Sequence, residues 1–233
     1  MTQLNEEYVL QKSKFGSKTV MSFTKTWGAY AVKEVFEDKV YKDLEITPDD
    51  YVLDIWANVW AFVVDNFDKC VRIYAFEPAE DNYGVLKLNI RENGINNCVA
   101  WNKPVTRNWG EITFYEDTTP SSAINSIYKM DKCVEIKKES VSIIEVLNME
   151  DFTKIKCDCE GAEFDIFKNL EVPLTVKQII VEVHEPMIPT DLLADGLQVI
   201  EDLKRQFTTC DLIELYNGDG VKVEGVYMYN LKR

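Results

Sequence analysis

The sequence predicts an α/β fold, with a doubly wound, mostly parallel sheet and an antiparallel hairpin at its C-terminal end. Three observations support this prediction. Strand-like and helix-like segments alternate along most of the 233-residue chain. The segment "YVLDI" is nearly all apolar, like the strands of parallel sheets that are covered by helices on both faces. Near the C-terminus, two strand-like segments flank a Gly-Asp-Gly turn, which indicates a hairpin.

The first half of the chain supplies the predicted helices and strands of the first βα units. In order, these are a helix over 28–44, a strand over 51–55, a helix over 57–68, a strand over 71–76, a helix over 79–94, and strands over 98–105 and 110–116. The first helix is inferred from apolar side chains at helical spacing, among them Val32, Val35 and Phe36. Gly94 ends the helix over 79–94, because glycine readily adopts the left-handed conformation that closes helices.

The second half of the chain continues the alternation. After a polar stretch over 117–126, it contains a strand over 154–159, a helix over 162–170, a strand over 177–184, a helix over 189–207 and the hairpin within 210–231. We interpret the chain as a single domain, with an N-terminal helical or lid region over 1–45 and a Rossmann-like core over 46–233.

The charge of the chain narrows the classes of partner. Lys and Arg number 26 against 40 Asp and Glu, which gives a formal net charge of −14. We therefore expect neither a nucleic-acid nor a membrane partner, because both need a basic face. No apolar run is long enough to span a bilayer, and the N-terminal "MTQLNEEYVLQKSK" lacks the apolar core of a signal peptide. We interpret the six cysteines as reduced thiols of a cytoplasmic protein. We expect the protein to be a monomer or a homodimer.

Polar side chains follow the predicted strands. The residues at these positions are Asp54 to Trp60, Glu77, Asn102, Asp158 to Gly161, and His184 with Glu185. In a doubly wound sheet the carboxyl ends of the parallel strands meet at one edge, and ligands bind there. The sequence therefore predicts a binding site at this edge.

Six segments give the chain a specific resemblance. They are "EVFEDKVYKDLEITPDDYVLDI", "IYAFEPAEDNYGVLKLNIRENGINN", "NKPVTRNWGEITFY", "SSAINS", "KIKCDCEGAEFDIFKNL" and "IIVEVH", and together they span roughly residues 34–185. In this order they resemble the FkbM family of class I S-adenosylmethionine-dependent methyltransferases. The resemblance implies a seven-stranded Rossmann-like sheet, S-adenosylmethionine as the cofactor, and O-methylation of a hydroxyl on a sugar or another small metabolite.

The resemblance also assigns cofactor-binding roles. Glu77 would accept hydrogen bonds from the ribose hydroxyls, and Asn102 would lie near the adenine. Asp54 would orient the loop and the amino group of the methionine moiety. The complete predicted cofactor-binding set is Asp54, Trp56, Ala57, Asn58, Trp60, Glu77, Pro78, Asn102 and Asp158.

The predicted catalytic residues are His184, Asp158 and Glu160, beside the expected position of the methyl donor. His184 is the only histidine and the best candidate for a general base, because an unperturbed imidazole titrates near neutral pH. The predicted acceptor-binding set is Ser121, Ser122, Ser126, Glu160 and His184. Asp158 and Glu160 could bind a divalent cation, but hard-metal sites usually need more oxygen ligands, so no metal is expected.

Trp56 and Trp60 depart from the family pattern, which has glycines at both positions. Glycine permits a backbone conformation that side chains penalise and lets the main chain contact the cofactor. An indole adds about 200 Å² of surface in that space, so we expect weakened cofactor binding.

Three function classes remain open. The first is an O-methyltransferase. The second is a catalytically silent binding protein, as a natural or engineered inactive variant. The third, a dinucleotide enzyme, is the least favoured because the Gly-x-Gly-x-x-Gly fingerprint is absent.

Overall fold

The computed structural model describes residues 10–23, 27–59, 61–117, 125–129, 133–215 and 222–233. Four predicted features lie outside these ranges: Trp60, Ser121, Ser122 and the Gly-Asp-Gly turn at 218–220. Within the described ranges, no helix combines the length and apolarity needed to cross a bilayer.

The described part of the chain contains twelve strands in three sheets. In chain order, the strands are β1 (Leu10–Phe15), β2 (Lys18–Phe23), β3 (Tyr51–Ile55), β4 (Arg72–Phe76), β5 (Cys98–Trp101), β6 (Val105–Thr106), β7 (Gly110–Asp117), β8 (Cys133–Ser142), β9 (Lys154–Asp158), β10 (Gln178–His184), β11 (Thr209–Ile213) and β12 (Val226–Lys232). The α-helices are α1 (Trp27–Lys33), α2 (Ala61–Asn66), α3 (Glu80–Glu92), α4 (Ile143–Leu147), α5 (Glu163–Ile166) and α6 (Leu193–Lys204).

The central sheet has seven strands in the order β11-β12-β10-β9-β3-β4-β5. β12 runs antiparallel to β10 and to β11, whereas the other neighbouring pairs are parallel. This arrangement confirms the predicted mostly parallel sheet with antiparallel strands at its C-terminal end.

Alternate residues of the inner strands enter two separate apolar clusters. In β3, Leu53 lies in a cluster with Phe114 and Phe152, whereas Val52 lies in a cluster with Phe62. Successive side chains of a strand point to opposite faces, so both faces of the central sheet are covered. This burial explains the nearly all-apolar composition of β3.

The N-terminal region differs from the helical region that we expected. Residues 10–23 form the β1–β2 hairpin, in which Gly16 adopts a φ of 62°. The predicted helix over 28–44 is limited to α1 and a π-helical turn over Glu34–Asp38, followed by irregular turns. The backbone of β2 is hydrogen-bonded by the side chains of Asn89 in α3 and of Asn93, which follows α3. This long-range contact is not encoded in local patterning. The division into 1–45 and 46–233 stays a prediction.

Candidate active site

The candidate site lies where the strand order of the central sheet reverses. The chain runs from β3 through β4 to β5 and then returns to the other side of β3 as β9. The carboxyl ends of β3 and β9 therefore flank the point where doubly wound sheets bind ligands. Asp54 and Asp158 lie at these two strand ends.

The turn after β3 has the backbone of a glycine turn without containing glycine. Trp56 and Asn58 have φ values of 60° and 52°, in the left-handed region that is strained for a bulky residue such as tryptophan. The Trp56 indole is only 8% exposed, and its ring centroid lies 6.0 Å from that of Phe114. Its Nε1 has no hydrogen-bond partner within the described ranges. The turn thus combines backbone strain with an unsatisfied buried donor.

The carboxylate of Glu77 bridges the ends of β3 and β4. The backbone nitrogen of Asn58 donates to Oε2 at 2.6 Å, and the backbone nitrogen of Ala79 donates to Oε1 at 2.8 Å. Burial raises the pKa of Glu77 to about 8, although these backbone hydrogen bonds act to lower it. Each carboxylate oxygen has two lone pairs, so capacity remains to accept hydroxyl donors from a ligand.

Other predicted cofactor residues hold the neighbouring loop. The Asn102 side chain donates to the backbone oxygens of Glu77 at 2.9 Å and of Pro78 at 3.0 Å. The Ala57 nitrogen donates to the Phe76 oxygen at 2.8 Å. These bonds connect the carboxyl ends of β3, β4 and β5, so the structure brings this part of the predicted set together.

Asp54 is fully buried and faces Lys156 of β9. Its Oδ1 lies 3.3 Å from the Lys156 Nζ, and neither carboxylate oxygen accepts a hydrogen bond from the described residues. Burial raises the pKa of Asp54, while the lysine charge opposes the shift. Lys156 also donates to the Trp56 backbone oxygen at 2.9 Å, which ties the turn after β3 to β9.

An acidic cluster surrounds His184 at the ends of β9 and β10. The Nε2 atom of His184 lies 3.5 Å from Glu182 Oε1, 3.6 Å from Glu160 Oε2 and 3.9 Å from Asp158 Oδ1. The other oxygen of Asp158 accepts a hydrogen bond from the Tyr41 hydroxyl at 3.0 Å. All three predicted catalytic residues are therefore in one place.

Glu163 fixes the orientation of the imidazole. Its Oε1 lies 3.2 Å from His184 Nδ1 and accepts a hydrogen bond from the Cys159 nitrogen at 2.6 Å. Its Oε2 accepts from the Gly161 nitrogen at 2.9 Å. The carboxylate of Glu163 is fully buried, and backbone donors fix both of its oxygens. Its contact with Nδ1 therefore fixes the imidazole ring, so that Nε2 faces the acidic cluster.

The cluster retains protons. Burial by itself would lower the pKa of His184, but the Glu160 charge and the contact with Glu163 outweigh it and raise the pKa well above its usual value. Burial also raises the pKa of Glu160, with the His184 charge opposing and Asp158 adding to the shift. His184 is therefore a cation at neutral pH in the ligand-free protein, in contrast to the neutral imidazole expected of a general base.

The loop after β9 depends on close packing. Ser126, from the predicted acceptor-binding set, is buried and donates to the Glu160 backbone oxygen at 2.7 Å. Gly161 has a φ of 99°, and a Cβ there would lie 2.9 Å from the Met187 Cβ. These contacts hold Glu160 in a left-handed conformation, with a φ of 49°, facing the cluster.

Sequence reasoning missed Tyr41, Lys156 and Glu182. It placed Glu163 beside Asp158 and Glu160 after β9, without its contact with His184. Two of the missed residues carried a usable signal, because residues two apart in a strand share a face. Lys156 is two residues before Asp158, and Glu182 is two residues before His184. Tyr41 reaches the site through a contact that no local pattern indicates.

Comparison with known proteins identifies the family. Residues 6–206 match the sequence model of the family described as "Methyltransferase FkbM domain". The chain belongs to this family. A curated relative of the chain is Methyltransferase 1 of Beauveria bassiana (strain ARSEF 2860), 24% identical over 163 residues, which cover 60% of this chain. The chain spans 66% of the length of that curated relative.

Solved structures share the fold of this FkbM domain. The methyltransferase FkbM of Methylobacillus flagellatus KT superposes with a TM-score of 0.52 at 15% identity, over 86% of this chain and 53% of that one. The precorrin 8W decarboxylase of Methanobacterium thermoautotrophicum superposes with a TM-score of 0.50 at 13% identity, over 84% and 88% of the two chains. At such identities the likeness concerns the fold alone.

Proposed function

We propose that this chain is an S-adenosylmethionine-dependent O-methyltransferase that acts on a hydroxyl of a sugar or another small metabolite, with weakened cofactor binding. The observation that carries the proposal is the position of the Asp158, Glu160 and His184 cluster at the same strand-order reversal as Glu77, in a chain of the FkbM family. The net charge of −14 favours a small-molecule acceptor over a nucleic acid. The proposed location is the cytoplasm.

The residues after β3, β4 and β5 fit the adenosyl end of such a cofactor. Glu77 retains lone pairs for the ribose hydroxyls, and Asn102 holds the loop that would border the adenine. The buried carboxylate of Asp54 is paired with Lys156, but it accepts no hydrogen bond from the described residues, which suits the amino group of the methionine moiety. The misfit is Trp56, whose indole stands where the family has no side chain.

The acidic cluster would activate the acceptor. When bound, S-adenosylmethionine supplies an electrophilic methyl carbon to which the acceptor oxygen bonds, while the carbon–sulfur bond breaks with its electron pair left on sulfur. The acceptor hydroxyl must lose its proton, which Asp158, Glu160 and His184 are placed to promote. Because His184 is already cationic and the raised pKa of Glu160, about 8, keeps that group protonated at neutral pH, Asp158 is the carboxylate that would receive this proton.

A catalytically silent binding protein is the second candidate function. The burial of the Trp56 indole beside Phe114 favours it, because displacing a packed aromatic ring would oppose cofactor entry. This candidate keeps the acceptor site and lacks methyl transfer.

Calorimetric titration with S-adenosylmethionine tests both candidates. We expect weak binding by the natural sequence and at least tenfold tighter binding by Trp56→Gly/Trp60→Gly. Trp109→Gly is the matched control, because Trp109 is 75% exposed and lies outside the predicted cofactor-binding set. If the glycine variant binds, release of S-adenosylhomocysteine with a panel of sugars then tests methyl transfer. No binding by either folded protein would contradict the proposed cofactor.

A further inference from the structure

Nε2 of His184 faces a gap between carboxylates. The imidazole is only 7% exposed, and Nε2 has no hydrogen-bond partner among the residues that the structure describes. Its nearest carboxylate oxygens, at 3.5 to 3.9 Å, lie beyond the usual 2.7–3.2 Å range of a hydrogen bond from nitrogen to oxygen. The three carboxylates surround Nε2 at ion-pair distances without closing a hydrogen bond to it, so this atom can bind a further group once its proton is lost.

The gap has the dimensions of a metal site. The ligand atoms offered by Asp158, Glu160 and His184 all lie within 4.8 Å of one another. Around an ion with bonds of about 2.1 Å, ligand atoms lie roughly 3.0 to 3.4 Å apart in octahedral or tetrahedral geometry. The separations of 3.6 and 3.9 Å from Nε2 to the two carboxylates need only small side-chain movements to reach these values.

The surrounding residues orient two of the three donors. Glu163 holds Nδ1 of His184, which directs Nε2 into the gap, as carboxylates behind metal-bound imidazoles do. Tyr41 and Lys156 engage Oδ2 of Asp158, at 3.0 and 3.6 Å, which leaves Oδ1 on the side of the imidazole. Each donor therefore offers one atom to the gap.

We propose that Asp158, Glu160 and Nε2 of His184 bind one divalent transition-metal ion, such as Mn²⁺ or Zn²⁺. Binding releases to water the protons that His184 and Glu160 hold in the ligand-free protein. An imidazole among the ligands favours these ions over Mg²⁺ or Ca²⁺, which take oxygen ligands. The negative charge of Glu182, at 3.5 Å from Nε2, adds to the attraction for a cation.

The proposed binding of the metal ion does not depend on the proposed methyl transfer. The role of the ion in catalysis does rest on that proposed function. A bound ion would coordinate the acceptor hydroxyl and lower its pKa, so that the O–H bond breaks and the proton passes to water. The three side chains would then activate the acceptor through the ion instead of receiving the proton themselves.

Titration of the tag-free, chelator-treated chain with Mn²⁺ tests the proposal. Electron paramagnetic resonance reports free Mn²⁺, and Zn²⁺ is added as a competitor. We expect one equivalent of Mn²⁺ to bind, Zn²⁺ to displace it, and Asp158→Asn and Glu160→Gln each to weaken binding at least tenfold. Glu139→Gln is the matched control, since that carboxylate is 80% exposed beside Lys103 and should leave binding unchanged.

Thermal melts by circular dichroism establish that each variant is folded. If Asp158→Asn does not fold, Glu160→Gln decides the test, because its carboxylate has no hydrogen bond in the described structure and its loss leaves the backbone contacts intact. Absence of Mn²⁺ and Zn²⁺ binding by the folded natural sequence, or unchanged binding by the folded variants, would overturn the proposal. The titration contains no S-adenosylmethionine, so this failure is distinct from failure of the proposed methyltransferase function.

Discussion

Replacement of Trp56 isolates the strain in the turn after β3. Trp56 has a φ of 60°, a conformation that costs an L-residue about 1–2 kcal/mol and glycine almost nothing. We therefore compare Trp56→Gly with Trp56→Ala, since both remove the indole and its unsatisfied Nε1. The two variants differ by one methyl group and by the backbone penalty, so the comparison excludes the contribution of the indole.

We expect Trp56→Gly to be more stable than Trp56→Ala by about 1 kcal/mol, the reverse of the usual order. In a chain of this size that difference corresponds to about 2–4 °C in Tm. Deleting a buried tryptophan ordinarily costs about 3–5 kcal/mol. In Trp56→Gly, the backbone strain and the unsatisfied donor are both removed, which should offset about 2–4 kcal/mol of the lost free energy of unfolding.

Urea denaturation of the unsubstituted chain, Trp56→Gly and Trp56→Ala at neutral pH, monitored by circular dichroism, measures these differences. Phe114→Ala is the reference for loss of a buried ring without backbone strain, because Phe114 is fully buried in β7. It should cost about 3–5 kcal/mol, clearly more than Trp56→Gly. Equal stability of Trp56→Gly and Trp56→Ala, or a loss in Trp56→Gly as large as in Phe114→Ala, would refute the strain argument.

Three further predictions concern the loop after β9 and the imidazole beside it. His184 is the only histidine, so its NMR signals are easily assigned, and in the chelator-treated protein they should not titrate near pH 6.5. Because the pKa of His184 is raised in the folded protein, the free energy of unfolding should also fall as pH rises above 6.5 towards that pKa. An NMR titration midpoint near pH 6.5 would contradict this prediction. Glu163→Gln places a side-chain NH₂ group against the backbone nitrogen of Cys159 or of Gly161, so the free energy of unfolding in urea should fall by about 1–3 kcal/mol. Unchanged stability would argue against these two hydrogen bonds. Gly161→Ala puts a Cβ 2.9 Å from that of Met187 at a φ of 99°, so we expect a loss of about 1–3 kcal/mol, measured against Gly84→Ala, where a Cβ would meet nothing within 4 Å.

The central sheet could be predicted because its strands carry their burial in their composition. The apolar runs of β3 and β10 can be stable only in a sheet covered on both faces, and their polar ends mark the edge where Glu77, Asp158 and His184 lie. β8 escaped prediction because much of it is polar and half-exposed. Its extended conformation comes from pairing with β7 over eight residues, a partner that its own sequence does not specify.

The sequence by itself determined the sheet, its reversal point and the residue types that face it. Only the tertiary structure decided the chemistry of those residues. In sequence, His184 has the near-neutral pKa of an ordinary imidazole, and nothing indicates that Glu163 contacts it. Folding places Glu160 and Glu163 against the buried ring, where the loss of water strengthens their charges, and the imidazole becomes a cation with a fixed direction. A pKa and an orientation depend on distances between segments far apart in the chain, and only the folded chain sets those distances.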